Sequence, residues 1–125
     1  MRDREEQYGE QEPDDYYKPK IVCLCGSTRF YEQFQRANYE LTMRRIIVLS
    51  VGVYHSAAER EHHGECIGCT PEQKIALDEL HFRKIDLADS IFVLNLGGYI
   101  GESTRNEIDY ATAKGKPVDY LESIA

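Results

Sequence analysis

The sequence predicts an α/β fold built on a parallel sheet of four to five strands. Short runs of apolar, β-branched residues alternate with stretches of helical periodicity, which is the order of strand–helix–strand units. The runs are apolar at nearly every position, which is typical of strands that are covered on both faces. A length of 125 residues fits a single domain.

The first half of the folded part predicts a strand, a helix and a second strand. The first strand is expected over residues 20–25 and ends at Gly26. Ser27 or Thr28 then caps a helix. The second buried strand is expected over residues 46–52. The apolar positions of the helix recur at helical spacing and are Phe30, Phe34, Ala37 and Leu41.

The second helix has a strong start signal. Thr70 is a capping threonine, Pro71 occupies the first helical position, and Gln73 completes a capping box. The helix is expected to run to about Leu87, and a third buried strand follows over residues 90–96.

The last part of the chain predicts a loop, a helix and a short strand. The loop over residues 97–103 is rich in glycine, and the helix extends from about Thr104 to Lys114. Gly115 ends this helix, and the fourth strand is expected over residues 117–121.

Composition limits the class of protein and of partner. Asp and Glu number 22 against 15 Lys and Arg, a net charge of −7, which disfavours nucleic-acid polymers. No apolar run is long enough for a membrane span, and the charged start is unlike a signal peptide, so we expect a cytoplasmic protein. Residues 1–19 are expected to form a flexible acidic arm, and residues 20–125 the folded domain.

The strand order expected for such a fold is flavodoxin-like, about 2-1-3-4. This order creates a crevice at the carboxyl ends of strands 1 and 3, where ligands bind in α/β folds. Two loops rich in glycine and hydroxyl groups then meet there, each opening onto a helix. The loops supply backbone N–H groups, hydroxyls and guanidinium groups suited to a small anion. The predicted substrate-binding residues are Gly26, Ser27, Thr28, Arg29, Gly98, Tyr99, Gly101, Ser103, Thr104 and Arg105.

Glu107 lies about one turn into the helix after the second loop and has two interpretations. As a carboxylate at the crevice, it acts on a bound small molecule as a nucleophile or base. Alternatively, Thr104 and Glu107 form a capping box, in which the Glu107 side chain folds back on the helix end.

At these residues the chain resembles the nucleoside 2-deoxyribosyltransferase family, which includes 2′-deoxynucleoside 5′-phosphate N-hydrolases. The resemblance covers about residues 20–121, and the segments CGSTRF, LHFRKIDLAD and GGYIGESTRNEIDYA are similar to small bacterial and phage proteins. Its motifs are Gly26-Ser27, Ala88-Asp89, the glycine-rich loop, Glu107-x-x-Tyr110-Ala111 and Gly115-Lys116.

The resemblance implies a flavodoxin-like homodimer or larger homo-oligomer that cleaves N-glycosidic bonds of a nucleoside or nucleoside 5′-monophosphate. Glu107 falls on the position of the family's nucleophile, which attacks the anomeric carbon of the sugar. The two loops would hold the sugar or its phosphate. No cofactor and no metal are implied.

Two positions depart from the family pattern. His81 stands where the family has an aspartate that assists base protonation, and Cys23 stands where it often has a tyrosine. A histidine donates protons near neutral pH, so His81 is the candidate acid. Asp78, one turn earlier, is an alternative acid. The alternative for His81 itself is a solvated helix residue without a catalytic role. If the acid is lost, the protein is a nucleotide-binding sensor without catalysis.

The cysteines raise a separate possibility. His62, His63, Cys66 and Cys69 have spacing that suits structural zinc and would make a zinc-stabilised interaction protein. Cys23 and Cys25 are expected on one face of the first strand as buried free thiols.

Overall fold

The computed structural model describes residues 17–52 and 70–124. Within these ranges the chain forms four β-strands and three α-helices. The strands are β1 (Ile21–Cys25), β2 (Ile47–Leu49), β3 (Ser90–Val93) and β4 (Val118–Tyr120). The helices are α1 (Tyr31–Met43), α2 (Pro71–Leu87) and α3 (Glu102–Ala113), and a short 3₁₀ turn covers Leu96–Gly98.

The four strands form one parallel sheet in the order β2-β1-β3-β4. This confirms the predicted α/β class and the predicted strand order. In the central pair, Cys23 is in register with Ile91 and Cys25 with Val93. The carboxyl ends of β1 and β3 therefore lie side by side, which is the edge where the two candidate loops begin.

The side chains of β1 alternate between two cores, one on each face of the sheet. Val22 and Leu24 pack beneath α1 against Phe34. Cys23 and Cys25 face the opposite side, in the core that includes residues of α2 and α3 such as Ile85 and Ile108. The prediction that the two cysteines share a face and are buried free thiols is confirmed, since both are fully buried and free.

The start of α2 agrees with the sequence, and the starts of the other two helices differ from it. Thr70 caps α2 and forms the capping box with Gln73. Helix α1 begins after Phe30 without a side-chain cap, so the predicted capping of this helix by Ser27 or Thr28 is wrong. The Ser27 hydroxyl instead accepts a bond from the Arg29 N–H within the turn.

Helix α3 begins at Glu102, two residues earlier than predicted. Its N-cap is Gly101, and no side chain caps it. Thr104 is therefore inside the helix and buried, at 4% exposure. The capping-box interpretation of Thr104 and Glu107 is wrong, because neither residue stands where a cap would form.

The outer strands are shorter and less covered than the sequence predicts. Strand β2 keeps three residues, and Ile47 is 44% exposed. Strand β2 lies at the edge of the sheet and pairs with β1 alone, so part of its surface is exposed although its residues are apolar. At the other edge, the buried Asn95 side chain exchanges two hydrogen bonds with the Glu122 backbone, at 3.0 and 2.9 Å. This pair fixes the end of the described chain beside the loop that follows β3.

The described end of the predicted arm contacts the folded domain. At the end of the predicted arm, the Tyr17 hydroxyl donates to the Arg45 carbonyl at 2.7 Å; residues 1–16 lie outside the described residues. None of the described helices has the length and apolar character needed to cross a membrane.

Candidate functional site

The loops that follow β1 and β3 meet at the carboxyl edge of the sheet. Gly26 lies so close to Leu94 that an added Cβ would be 3.1 Å from the Leu94 carbonyl oxygen. The Leu94 N–H also donates to the Cys25 carbonyl at 2.8 Å. Gly26 has a φ of +152°, which L side chains rarely adopt. Glycine is therefore required here for both conformation and close approach.

Side chains of the two loops also contact each other. The Arg29 guanidinium lies over the Tyr99 ring, with its carbon 4.0 Å from the ring centroid. Phe30 meets the same ring edge-on, at 6.1 Å between centroids. The Arg29 Nε is buried and has no hydrogen-bond partner among the described residues. Arg29 and Tyr99 thus join the two loops through one packed contact rather than standing as separate surface groups.

The remaining predicted binding residues occupy different environments. Gly98 lies in the turn after β3 with a φ of +81°, and Gly101 is the N-cap of α3. The Ser103 hydroxyl accepts a hydrogen bond from Lys74 at 3.2 Å. Thr104 is buried, and Arg105 is exposed. Of the hydroxyls assigned to α3, the structure therefore presents Ser103 at the surface and turns Thr104 inward.

Glu107 lies on α3 and points into the space between that helix and α2. Its side chain is 12% exposed, and its Oε1 is 3.8 Å from the Nε2 of His81. Burial raises the pKa of Glu107 to about 7, against the opposing effect of His81. The carboxyl group is therefore partly protonated near neutral pH, which is typical of groups that exchange protons or charge in a site.

His81 is buried, at 5% exposure, so its interpretation as a solvated helix residue is wrong. Burial alone would lower the pKa of His81, but its hydrogen bond with Cys23 and the charge of Glu107 raise it above the usual value. The imidazole therefore keeps a proton more readily than a free histidine. The alternative acid Asp78 is bonded to Lys74 at 2.8 Å.

Two thiols complete the surroundings of His81. The sulfur atoms of Cys23 and Cys25 lie 3.6 and 3.5 Å from His81 Nε2. Their hydrogen bond with each other lowers the pKa of Cys23 and raises that of Cys25. The sequence pattern predicts the two thiols on one face of β1 and His81 on a helix, and their meeting at the imidazole is visible only in the structure.

The aspartates near the end of α2 have structural roles. Asp89 accepts a hydrogen bond from the Ile21 N–H at 2.8 Å, which joins the start of β1 to the start of β3. Asp86 accepts one from the Tyr110 hydroxyl at 2.7 Å. This bond lowers the pKa of Asp86 below its usual value. Neither carboxylate belongs to the Glu107 cluster.

A separate groove lies at the opposite end of the sheet, near the starts of β1 and β3. Its lining includes Lys20, Arg44, Ser90 and Asp119, and none of the predicted site residues. The Ser90 hydroxyl is buried there without a hydrogen-bond partner among the described residues. The candidate site is thus defined by the chemistry of Glu107 and His81, and this groove is not part of it.

The residues whose spacing suits zinc, His62, His63, Cys66 and Cys69, lie outside the described residues, so the zinc alternative stays untested. In comparisons with known proteins, no protein-family model and no curated protein matches this chain.

Proposed function

We propose that this protein cleaves the N-glycosidic bond of a nucleoside or nucleoside 5′-monophosphate, with Glu107 as the nucleophile. The observation that carries the proposal is the placement of Glu107. Its carboxyl group makes no cap on its own helix and lies beside His81 at 3.8 Å, buried near the edge where the two loops meet. The motif resemblance over residues 20–121 supplies the reaction class.

In the proposed reaction, the Glu107 carboxylate attacks the anomeric carbon of the sugar. The carbon–nitrogen bond breaks, its electron pair leaves with the base, and the base takes a proton from His81. A nearby anion stabilises the oxocarbenium-like transition state. Water then adds its oxygen to the anomeric carbon, which frees Glu107 and returns a proton to His81. The raised pKa of His81 supports this role, because the imidazole must hold a proton before the base leaves.

The two loops form the substrate side of the site. The backbone N–H groups at Ser27 and the start of α3 receive the sugar or the 5′-phosphate. Arg29 is held against Tyr99, so this pair packs against the substrate as a preformed wall. Arg105 is exposed and approaches the phosphate from solvent. We favour hydrolysis over base transfer, because a site that recognises the 5′-phosphate of its substrate is less expected to exchange one base for another.

The same proposal includes the partner, the location and the oligomeric state of the protein. The partner is a small nucleoside or nucleotide in the cytoplasm. The active form is a homodimer or higher homo-oligomer. The exposed apolar residue Ile47 on the edge strand β2 is compatible with contact between copies.

The test is incubation of purified, metal-free protein with a panel of deoxynucleosides, ribonucleosides and their monophosphates, with free base measured by chromatography. We expect base release from at least one member and release at background level by Glu107→Gln. Asp109→Asn is the matched control, because it removes an exposed carboxylate from the same helix. His81→Asn should slow release by about 100-fold or more.

Two results would count against the proposal. If no member of the panel releases base at high enzyme concentration, N-glycosidase activity on these substrates is excluded. Equal release by the wild type and Glu107→Gln would exclude the nucleophile.

The burial of Glu107 also favours a second candidate, a nucleotide-binding sensor without catalysis. A side chain that is 12% exposed leaves little room for a sugar to approach. Calorimetry with the same ligands separates the two functions. Tight binding without turnover, unchanged in Glu107→Gln, would support the sensor.

A further inference from the structure

Three buried side chains that carry metal-ligating atoms converge near the carboxyl end of β1. The ligand atoms of Cys23, Cys25 and His81 all lie within 4.8 Å of one another. In residues 17–52 and 70–124 this is the one such group of three or more among His, Cys, Asp and Glu. Glu107 faces the group, with Oε1 at 3.8 Å from the histidine Nε2.

The two sulfur-to-nitrogen separations in this group match those of ligands around a tetrahedral metal ion. Zinc binds sulfur at about 2.3 Å and imidazole nitrogen at about 2.0 Å, which holds the two ligand atoms about 3.5 Å apart at the tetrahedral angle. The observed separations are 3.6 Å from Cys23 and 3.5 Å from Cys25 to His81 Nε2.

The convergence also argues against a cysteine–histidine–glutamate catalytic triad. In a triad, the nucleophile and the carboxylate bond to different nitrogens of the imidazole. Here the two sulfur atoms and the carboxylate oxygen all face Nε2 of His81. One ring nitrogen carries a single proton or a single lone pair, so it cannot serve three partners at once. The thiols also hydrogen-bond with each other, and Cys25 with Glu107, so the four groups form one network. A cation at its centre would bind all four groups at once.

The ligands are held by rigid elements. Cys23 and Cys25 are alternate residues of β1, fully buried, and their register with Ile91 and Val93 fixes the strand. His81 projects from α2 onto the same face of the sheet. Sites built on strands and helices keep their geometry better than sites on loops.

We propose that Cys23, Cys25 and His81 bind a thiophilic divalent cation of the Zn²⁺ class, with Glu107 at its fourth position. Thiolate and imidazole ligands select such ions over Mg²⁺ and Ca²⁺. On binding, each thiol releases its proton to solvent as its sulfur bonds to the ion, and His81 binds through neutral Nε2. Two thiolates balance the charge of the cation, and the Glu107 carboxylate, which releases any proton it holds to solvent, gives the site one net negative charge.

The test uses the full chain, reduced, stripped of metal and titrated with Co²⁺ without oxygen. Cobalt bound by thiolates in a tetrahedral site shows charge-transfer bands and intense visible bands. The key variant is Cys66→Ser with Cys69→Ser. The chain has four cysteines, so any thiolate band in this variant must come from Cys23 and Cys25. We expect the bands to persist there and to disappear on addition of Zn²⁺.

Two further variants test the individual ligands. Cys23→Ser with Cys25→Ser should lose the bands, provided that circular dichroism shows a folded chain. Glu107→Gln should keep the bands and weaken cobalt binding at least as much as the loss of an outer-shell partner does, about 10- to 100-fold. Absence of thiolate bands in Cys66→Ser with Cys69→Ser would overturn the proposal, whatever the folding of the other variants. The readout is the spectrum of the ion, so its failure is distinct from a failure to release base.

Discussion

Replacement of Glu107 by glutamine should stabilise the metal-free protein at alkaline pH. The side chain is 12% exposed, and burial raises its pKa from 4.5 to about 7. Between these values the folded chain binds a proton that the unfolded chain has lost, so stability falls as pH rises. Each pH unit in this window costs about 1.4 kcal/mol. Above neutrality the free energy of unfolding is therefore lower by about 3 kcal/mol than at acidic pH. Glutamine does not ionise, so the variant avoids this loss.

The assay is urea unfolding from about pH 5 to about pH 9, with chelator and reductant present. The difference in free energy of unfolding between Glu107→Gln and the wild type should grow from near zero at the acidic end and level off above neutrality. Asp109→Asn should follow the wild-type curve, because its carboxylate is exposed on the same helix.

The raised pKa of His81 acts in the same direction as that of Glu107. It contributes stability that is present below its unfolded pKa and is lost as pH rises through the folded pKa. The His81 contribution remains, weakened, in Glu107→Gln, and the lowered pKa of Cys23 acts in the opposite direction in both proteins, so the test is the difference between the two curves and not the slope of either. Parallel curves for Glu107→Gln and the wild type would refute the burial argument, as would a gap that widens towards acid.

Three further substitutions test the fold around the site. Gly26→Ala should lower the free energy of unfolding by about 1–3 kcal/mol, since its φ is +152° and the new Cβ would be 3.1 Å from a backbone oxygen; urea unfolding measures this. Thr70→Ala should cost about 1 kcal/mol through loss of the capping box, and Thr70→Ser, which keeps the hydroxyl, should cost much less. Tyr110→Phe should lower stability at neutral pH, because the lowered pKa of Asp86 depends first on the tyrosine hydroxyl. That gap should close as pH falls below about 3.8, the usual Asp value, through the folded pKa of Asp86 in a series of acid unfolding curves.

The order of the elements was predictable because each depends on local signals. Apolar runs bounded by turns gave the strands, and Thr70 with Gln73 gave the start of α2, where the structure has the same capping box. The start of α3 was not predictable in this way. Thr104 and Glu107 match the capping pattern, but Gly101 is the N-cap and the helix begins at Glu102, two residues before the prediction, so Thr104 is buried in the core.

The candidate site was predictable in part for the same reason. Alternation along a strand places Cys23 and Cys25 on one face, and the strand order brings the loops at Gly26 and Tyr99 together. The burial of His81 depends on how α2 lies across β1, which no local pattern encodes. The contact of its Nε2 with two thiols and Glu107 is therefore a property of the tertiary structure.

The two proposals for Glu107 make opposite demands on one carboxylate, which gives a final prediction. As a nucleophile it must have free oxygen atoms, and as the fourth ligand it is held by a cation. His81 is likewise either a proton donor or a metal ligand. If both proposals hold, Zn²⁺ should inhibit base release by the wild type, and chelator should restore it. In Cys23→Ser with Cys25→Ser, residual base release should be far less sensitive to Zn²⁺. Faster base release with Zn²⁺ would instead show that the cation takes part in the reaction, and would exclude Glu107 as a free nucleophile.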